Sequence, residues 1–268
     1  MNMDKIKVKE IIDKTEVFLL DMDGTIYLDS TPIGDMINTL KKIRKAGKKI
    51  VYFTNNSSKT VDEYEKKLKK IGFWEENDEV YSSGVAAIWY LKKYCAGKRV
   101  YLLGTDALIK TFKENGIIID DVNPEIAMLA YDTTIDFPKM KLFNEFLVKG
   151  AKYIATHPDM VCPTDGISMP DVGSFIKMFE ATSNRLPEVI IGKPYGHMGE
   201  MLEENFSTER DKITMVGDRI YTDIKFGINC GFNSILVMSG ETTEEIYKQS
   251  GVEPTLILDS LNDVADLI

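Results

Sequence analysis

Cysteine and histidine are scarce in this sequence. The 268 residues include three cysteines, Cys95, Cys162 and Cys230, and two histidines, His157 and His197. An odd number of scattered cysteines without a Cys-x-x-Cys pair forms neither a disulfide framework nor a zinc motif. We therefore expect reduced thiols, as in a cytosolic protein. Neither histidine belongs to a visible cluster of metal ligands, and we interpret both as structural or surface residues.

The sequence also lacks a long apolar run and an excess of positive charge. No stretch approaches the roughly 20 apolar residues of a membrane-spanning helix. Residues 1–15 mix lysines and acids and lack the apolar core of a signal peptide. The net charge of −9, with lysines and acids interspersed, argues against the basic face of a nucleic-acid-binding protein. We expect a cytoplasmic protein with neither a nucleic-acid nor a membrane partner.

What the chain does contain is a regular alternation of short apolar runs and segments with helical spacing of apolar residues. This alternation predicts an α/β fold with a Rossmann-like parallel sheet and right-handed crossovers. The alternation restarts near residue 98, which suggests an inserted unit. We predict a discontinuous core of residues 1–82 and 188–268, with a smaller inserted α/β domain of residues 83–187. The apolar runs that predict core strands include residues 17–20, 49–53, 189–191 and 213–217.

The first apolar run leads directly into two carboxylates, Asp21 and Asp23, and then into Gly24. Ligands of open α/β sheets bind beyond the carboxyl ends of the strands, and glycine allows the chain to turn sharply there. Two acids this close repel each other unless a cation or a proton lies between them. A merely acidic turn is the simpler alternative. An EF-hand loop is excluded, because its sixth and twelfth positions would be Ile26 and Pro32.

Three further predicted core strands end in polar groups. Because parallel strands of one sheet present their carboxyl ends along one edge, we expect these groups to converge with the first two acids. Taken singly, each has a simpler explanation, such as a helix cap, a surface lysine or an ordinary turn. Their common position at strand ends favours a shared site. The groups are Thr54 with Asn55 and Asn56, then Lys193, then Asp218 with Asp223.

Acids, one lysine, one hydroxyl and amide donors are what metal-assisted phosphoryl transfer requires. Asp21, at the strand end, is the candidate nucleophile that would form an aspartyl-phosphate. Asp23 is the candidate general acid and base. The oxygen ligands that Mg²⁺ prefers would come from Asp21, the segment at Asp23, Asp218 and, through water, Asp223. The candidate phosphate-binding residues are Gly24, Thr54, Asn55, Asn56 and Lys193.

In this order, residues 21–25, 54–56, 192–194 and 217–223 resemble the four motifs of the haloacid-dehalogenase-like phosphatases. The resemblance extends over essentially the whole chain. It implies a Mg²⁺-dependent phosphatase that hydrolyses a small phosphomonoester, such as a nucleotide or a sugar phosphate, through an aspartyl-phosphate. The expected partner is therefore a small phosphorylated metabolite, and a homodimer is left open.

The Thr-Asn-Asn-Ser sequence at residues 54–57 and the large insertion resemble the 4-nitrophenylphosphatase and UMP phosphatase-like subfamily. That resemblance implies that the insertion is a mobile α/β cap, with substrate contacts expected around residues 132–136 and 163–173. Two cap residues depart from the pattern of the subfamily. His157 stands where asparagine is usual, and Asp171 stands where glycine is common.

A phospho-accepting signalling domain of receiver type is the alternative function. Such a domain also uses acids at strand ends, a hydroxyl and a lysine around Mg²⁺, but it would not need the inserted α/β unit. Two other nucleotide-binding classes are excluded, because the sequence contains neither a G-x-x-x-x-G-K-[ST] nor a G-x-G-x-x-G motif. The sequence does not identify the substrate.

Overall fold

The computed structural model describes residues 5–162 and 167–268. The strands in this part of the chain are β1 (Val17–Leu20), β2 (Tyr27–Leu28), β3 (Thr31–Pro32), β4 (Lys49–Thr54), β5 (Glu79–Ser82), β6 (Arg99–Leu103), β7 (Ile118–Ile119), β8 (Ile126–Leu129), β9 (Lys152–Ala155), β10 (Val161–Cys162), β11 (Met169–Pro170), β12 (Val189–Ile190), β13 (Ile213–Gly217), β14 (Asn233–Val237) and β15 (Leu256–Leu258). The α-helices are α1 (Lys5–Lys14), α2 (Met36–Lys45), α3 (Val61–Lys70), α4 (Ser83–Tyr94), α5 (Asp106–Glu114), α6 (Phe137–Val148), α7 (Val172–Ser183), α8 (His197–Asn205), α9 (Lys225–Cys230) and α10 (Glu244–Ser250). Among the described residues, no helix combines the length and hydropathy that crossing a membrane requires.

The chain forms two compact units, and the second is inserted into the first. The first unit comprises Met1–Thr54, Tyr64–Tyr81 and Leu202–Ile268, so far as these residues are described, and the second comprises Asn55–Glu63 and Ser82–Met201. This grouping places the short segment Asn55–Glu63 with the insertion. The predicted domain boundaries at residues 83 and 187 stay a prediction.

The first unit is built on a six-stranded sheet in the order β15-β14-β13-β1-β4-β5. Strand β1 pairs in parallel with β13 on one side and with β4 on the other. All four β1 side chains are buried, as expected for a central strand of a parallel sheet covered on both faces. Leu20 lies opposite both Val216 and Tyr52, so these three strands end at one edge of the sheet.

Helix α2 illustrates how the first unit covers its sheet. Its apolar residues recur at helical spacing, and Met36, Leu40 and Ile43 are buried while its lysines face outward. Burying each such side chain stabilises the fold by about 1.5–3 kcal/mol relative to leaving it exposed. The predicted helix in this region is therefore confirmed.

The second unit is built on a five-stranded parallel sheet in the order β12-β9-β8-β6-β7. Helices α6 and α7 pack against it through an aromatic cluster in which the rings of Phe143 and Phe179 lie 4.6 Å apart. The predicted second α/β unit thus has its own sheet and its own core. None of the three cysteines, all of them within the described residues, forms a disulfide.

The assignment of residues 189–191 to the core sheet was wrong. Strand β12 pairs with β9, with Val189 opposite Ile154 and Ile190 opposite Ala155, and so belongs to the sheet of the second unit. A short apolar run can form a buried strand in either of the two parallel sheets, so the sequence does not show which sheet it joins. Lys193 consequently follows a strand of the second unit and not a strand of the six-stranded sheet.

Candidate active site

Three carboxylates meet at the carboxyl edge of the six-stranded sheet. Asp21 directly follows β1, Asp218 directly follows β13, and Asp223 lies in a π-helical turn at Ile220–Ile224. One ligand atom from each side chain lies within 4.8 Å of the others. The parallel sheet therefore assembles three of the predicted metal ligands from opposite ends of the chain, because their strands are neighbours. A set of three carboxylates suits a hard cation such as Mg²⁺.

Glycines leave the space that these carboxylates occupy. A Cβ atom on Gly24 would lie 2.5 Å from Asp218 Oδ2, and one on Gly240 would lie 2.0 Å from the same oxygen. A Cβ atom on Gly217 would lie 2.3 Å from the Asp223 carboxylate. Gly24 also has a φ of +88°, which side chains rarely tolerate. The three positions next to the acids thus carry no side chain, as a cation site built from these carboxylates would need.

Burial and charge repulsion both act on Asp218, which is 2% exposed. Desolvation, and then the negative charge of Asp21, raise the pKa of the Asp218 carboxyl to about 6. Hydrogen bonds oppose this change, since the Thr25 hydroxyl donates to Oδ1 at 2.9 Å and the Glu241 N–H donates to Oδ2 at 2.7 Å. A buried carboxylate whose ionisation is opposed by a neighbouring acid favours a cation close to it.

The turn that follows β14 completes the support of this edge. The Thr242 N–H donates to the Asp218 carbonyl at 3.1 Å, and the Thr242 hydroxyl accepts from the Ile220 N–H at 3.1 Å. The Arg219 N–H donates to Asp223 Oδ2 at 3.1 Å. Sequence reasoning missed this turn. Its only sequence signal was Gly240 shortly after a predicted strand.

Asp23 is exposed, in a turn beyond β1 whose neighbouring residues, Met22 and Gly24, are buried. The turn is closed by the Gly24 N–H, which donates to the Tyr27 carbonyl at 2.9 Å, and by the Ile26 N–H, which donates to the Met22 carbonyl at 2.9 Å. Among the described residues, the group of three metal-ligating carboxylates does not include that of Asp23. Burial, followed by the charge of Asp23, raises the pKa of the Tyr27 hydroxyl far above its usual range. An exposed carboxyl beside a candidate nucleophile has the access to solvent that proton transfer needs.

Thr54 is the last residue of β4, the strand next to β1, and its side chain is buried. The alternative that residues 54–56 cap the following helix is wrong. Helix α3 is instead preceded by Thr60, whose N–H donates to Glu63 Oε2 at 2.7 Å while the Thr60 hydroxyl oxygen accepts from the Glu63 N–H at 3.3 Å. This reciprocal pair is a capping box. Residues 54–56 are therefore available for another role.

In the second unit, the side-chain amide of Asn55 holds the backbone of Lys193 at two points. The Lys193 N–H donates to Asn55 Oδ1 at 2.8 Å, and Asn55 Nδ2 donates to the Lys193 carbonyl at 3.0 Å. A Cβ atom on Gly192 would lie 2.6 Å from Asn55 Oδ1, so the glycine permits this contact. Both side chains are buried. Asn56 makes a local turn, in which its Oδ1 accepts from the Ser58 N–H at 2.9 Å.

Three other expectations concern the second unit. His157 is buried, so of the two predicted alternatives, structural or surface, the surface position was wrong. Its ligand atom lies within 4.8 Å of those of Asp159 and Asp171, so the expected absence of a ligand cluster was wrong. Asp132 is buried and forms a salt bridge of 2.8 Å with Lys139. Residues 163–166 of the predicted contact loop lie outside the described residues.

Comparison with known proteins identifies the family. A haloacid dehalogenase-like hydrolase profile matches residues 18–118, and a HAD-hydrolase-like profile matches residues 190–264. Phosphoglycolate phosphatase 2 of Arabidopsis thaliana is 30% identical to this chain, over 97% of this chain and 95% of that protein. The chain belongs to the haloacid dehalogenase-like hydrolases. The two profiles include every strand-end motif that carried the predicted resemblance.

Other haloacid dehalogenase-like relatives identify the subfamily. A 4-nitrophenylphosphatase of Schizosaccharomyces pombe is 29% identical, over 96% of each chain. The crystal structure of a 4-nitrophenylphosphatase from Thermotoga maritima matches with a TM-score of 0.91 and 38% identity, over 96% of this chain and 98% of that one. The predicted family, subfamily and α/β fold class are confirmed, and the protein is a phosphomonoester hydrolase.

Proposed function

We propose that this hydrolase is a Mg²⁺-dependent phosphatase that cleaves a small phosphomonoester through an aspartyl-phosphate on Asp21. The observation that carries the proposal is the group of three carboxylates, whose ligand atoms lie within 4.8 Å of one another at the edge of a parallel sheet. Burial and mutual repulsion make these charges costly without a cation.

Asp21, Asp218 and Asp223 would hold the metal. All three offer oxygen, and the described group contains neither the cysteine nor the imidazole ligands that zinc favours. Gly24, Gly217 and Gly240 leave the space that the carboxylates of Asp218 and Asp223 occupy. Bound Mg²⁺ would neutralise charge on the phosphate oxygens and orient the phosphate.

The covalent chemistry belongs to Asp21 and Asp23. An Asp21 oxygen would attack phosphorus while the bond from phosphorus to the ester oxygen breaks, and Asp23 would give its proton to the departing alkoxide. Asp23 would then take a proton from a water molecule that attacks the phosphoaspartate, releasing inorganic phosphate and regenerating the Asp21 carboxylate. Asp23 thus serves first as the acid and then as the base. The phosphoaspartate on Asp21 splits one difficult hydrolysis into two easier steps.

The remaining predicted residues would bind the phosphate. Lys193 would offset the repulsion between the anionic nucleophile and the anionic substrate, and its backbone is already fixed by the Asn55 amide. Thr54 would contribute its hydroxyl, and Asn55 would contribute its backbone N–H group. The Gly24 N–H already donates to the Tyr27 carbonyl, so Gly24 would contribute the turn of the backbone and not a donor. Asn56 stabilises the turn that follows, so we assign it a supporting position.

The names of the relatives do not narrow the substrate to one compound. They include a phosphoglycolate phosphatase, an acid sugar phosphatase of Staphylococcus haemolyticus and a 5'-nucleotidase of Bacillus subtilis. We propose a small phosphorylated metabolite of this range, such as a nucleotide or a sugar phosphate. The receiver-type alternative has no support among these relatives, all of which are named as enzymes that release phosphate.

The test is phosphate release from 4-nitrophenyl phosphate and from a panel of phosphorylated metabolites, with Mg²⁺ and after exhaustive chelation. We expect turnover that disappears on chelation, returns with Mg²⁺ and is absent in the Asp21→Asn variant. Undiminished turnover in the chelated enzyme would refute the metal dependence. A receiver-type domain would instead accept one phosphoryl group from a donor and show no steady turnover.

A further inference from the structure

His157 and Asp171 form a buried pair inside the second unit. His157 is 0% exposed and Asp171 is 4% exposed. Nε2 of the imidazole lies 2.9 Å from Asp171 Oδ1, which also accepts from the Val172 N–H at 2.7 Å at the start of α7. These are the two cap residues that depart from the sequence pattern discussed above, and the structure joins them in one contact. The two residues that depart from the subfamily pattern are therefore in direct contact in this chain.

The other ring nitrogen is oriented by a chain of hydroxyls. The Tyr131 N–H donates to Ser57 Oγ at 2.9 Å, which leaves the Ser57 proton for Thr156 Oγ1 at 3.2 Å. Thr156 in turn can donate to His157 Nδ1, which lies 3.1 Å away. Because the Asp171 carboxylate only accepts, the proton between these two groups lies on Nε2. The opposite ring nitrogen, Nδ1, faces the Thr156 hydroxyl.

The same imidazole supports Asn55. Nδ1 of His157 lies 3.3 Å from Ser83 Oγ, and the Ser83 hydroxyl donates a short hydrogen bond to the Asn55 carbonyl. A Cβ atom on Gly192 would lie 2.8 Å from His157 Cβ and 2.6 Å from Asn55 Oδ1. The Cβ atom of His157 thus lies against the residue before Lys193, and the ring lies beside the hydroxyl that holds the Asn55 carbonyl.

We propose that His157, held by Asp171, is a positioning residue for Asn55 and Lys193. The imidazole and its carboxylate act as a brace for Ser83 and, through the Ser83 hydroxyl, for the Asn55 carbonyl, so that the Asn55 side chain keeps the Lys193 backbone in one conformation. The role rests on the proposed function, in which Lys193 meets the substrate phosphate. His157 itself does not touch the reacting atoms in this scheme.

A cation site at His157, Asp159 and Asp171 is the competing explanation, because their ligand atoms lie within 4.8 Å of one another. The hydrogen bonds favour the brace. Asp171 Oδ1 already accepts from two donors, and Asp159 Oδ2 accepts from Asn55 Nδ2 at 3.1 Å. Asp159 therefore also holds Asn55, so all three side chains support the same residue.

The decisive experiment is a double-mutant cycle in kcat/KM on 4-nitrophenyl phosphate. His157→Ala should lower kcat/KM by up to about 100-fold, the cost of a small displacement of a group that meets the substrate. In the Lys193→Met background the same substitution should change kcat/KM by less than about twofold, because the positioned group is gone. Equal losses in both backgrounds, or no loss in the first, would overturn the proposal. If turnover of Lys193→Met falls below background, the hydrogen-exchange comparison described below decides the proposal.

Matched variants separate positioning from a loss of folding. His197→Ala removes the other histidine, which is partly exposed and lies 3.1 Å from Glu200, and should leave kcat/KM unchanged. Asp171→Asn keeps an acceptor for Nε2–H and should stay within about threefold of the wild type, whereas Asp171→Ala should lose as much as His157→Ala. His157→Gln keeps a donor toward Asp171 and remains usable if His157→Ala does not fold; it should lose activity because it lacks the Nδ1 contact with the Ser83 hydroxyl.

Amide hydrogen exchange gives a readout that needs no turnover. The Lys193 N–H is bonded to Asn55, so a peptide spanning residues 190–198 should exchange faster in His157→Ala than in the wild type or in His197→Ala. Unchanged exchange would refute the brace even in an inactive preparation. A wild-type enzyme without phosphate release would instead refute the proposed function and leave the exchange result to decide the positioning.

Discussion

The Asp218 carboxyl is buried and lies close enough to Asp21 for the charge of Asp21 to oppose its ionisation. Desolvation is the larger cause of the raised Asp218 pKa, and the charge of Asp21 is the second. The carboxyl is therefore ionised at neutral pH but takes up a proton in mild acid, where an ordinary aspartate would still be charged. Any ligand that needs the carboxylate competes with that proton.

Mg²⁺ affinity should accordingly fall as the pH is lowered through about 6, the pKa of Asp218. Above this pH the carboxylate is free and affinity should level off. Below it the metal must displace one proton, so affinity should fall by about tenfold per pH unit. Calorimetric Mg²⁺ titrations at pH 5, 6 and 7.5 measure the effect. A constant affinity over this range would contradict the assignment of Asp218 as a ligand.

The two acids after β1 should respond differently to neutralisation. Asp21→Asn should abolish turnover, because an amide cannot form the acyl-phosphate. Asp23→Asn should lower kcat by about 10²–10⁴-fold, the usual contribution of a general acid and base, while phosphate binding persists. Steady-state kinetics and calorimetric phosphate titrations measure both.

Asp29→Asn provides the control for this pair. Asp29 is an exposed acid of the same region with a φ of +56°, a conformation that asparagine tolerates well, and its substitution should leave kcat unchanged. A metal-fluoride complex bound to Asp23 instead of Asp21 would reverse the two roles.

The proximity of Asp21 and Asp218 could be predicted from the sequence, because neighbouring parallel strands must end at the same edge of the sheet. The contact between His157 and Asp171 could not be predicted, since it joins a strand end to a helix start by tertiary packing alone. Periodicity and turn chemistry carry no information about such a pair.

At the scale of the elements, the reliable signal was a short apolar run that ends in a polar group. Strands β1, β4 and β13 were predicted close to their observed bounds, since each is a buried run ended by a polar group. Strand β12 was found but assigned to the wrong sheet, because its residues suit either. Strands such as β7 and β10 are two residues long, too short for any period to be recognised.

The turn after β14 offers a test of how closely the elements must approach. Gly240→Ala places a Cβ atom 2.0 Å from Asp218 Oδ2, so the carboxylate or the turn must move. We expect kcat/KM to fall by up to about 100-fold, and stability to fall by about 1–3 kcal/mol. Kinetics and denaturant unfolding measure these changes.

Gly196→Ala is the matched control for Gly240→Ala. A Cβ atom at Gly196 meets nothing within 4 Å, and this glycine does not have a positive φ. Its substitution should leave both kcat/KM and stability near the wild-type values. Equal effects of the two substitutions would mean that the space beside Asp218 is not required.

At the scale of the whole molecule, the metal and covalent chemistry is assigned to the first unit and the choice of substrate to the second. We predict that Asp165→Ala combined with Met169→Ala changes the ranking of a metabolite panel more than it changes turnover of 4-nitrophenyl phosphate. Met169 is half-exposed on β11, and Asp165 lies outside the described residues. The assay compares kcat/KM across the panel with the small ester. Proportional losses with an unchanged ranking would show that this loop does not select the substrate.

The assignment of Asn55–Glu63 to the second unit bears on how such a protein can be recombined. Asn55 and Ser57 reach Lys193 and Thr156 through hydrogen bonds, although they precede the main insertion in the chain by some distance. A gene segment that encodes only Ser82–Met201 would leave these partners behind in the donor. Chimeras that exchange the insertion as a single cassette should therefore work only when the recipient supplies a compatible Thr-Asn-Asn-Ser segment of its own.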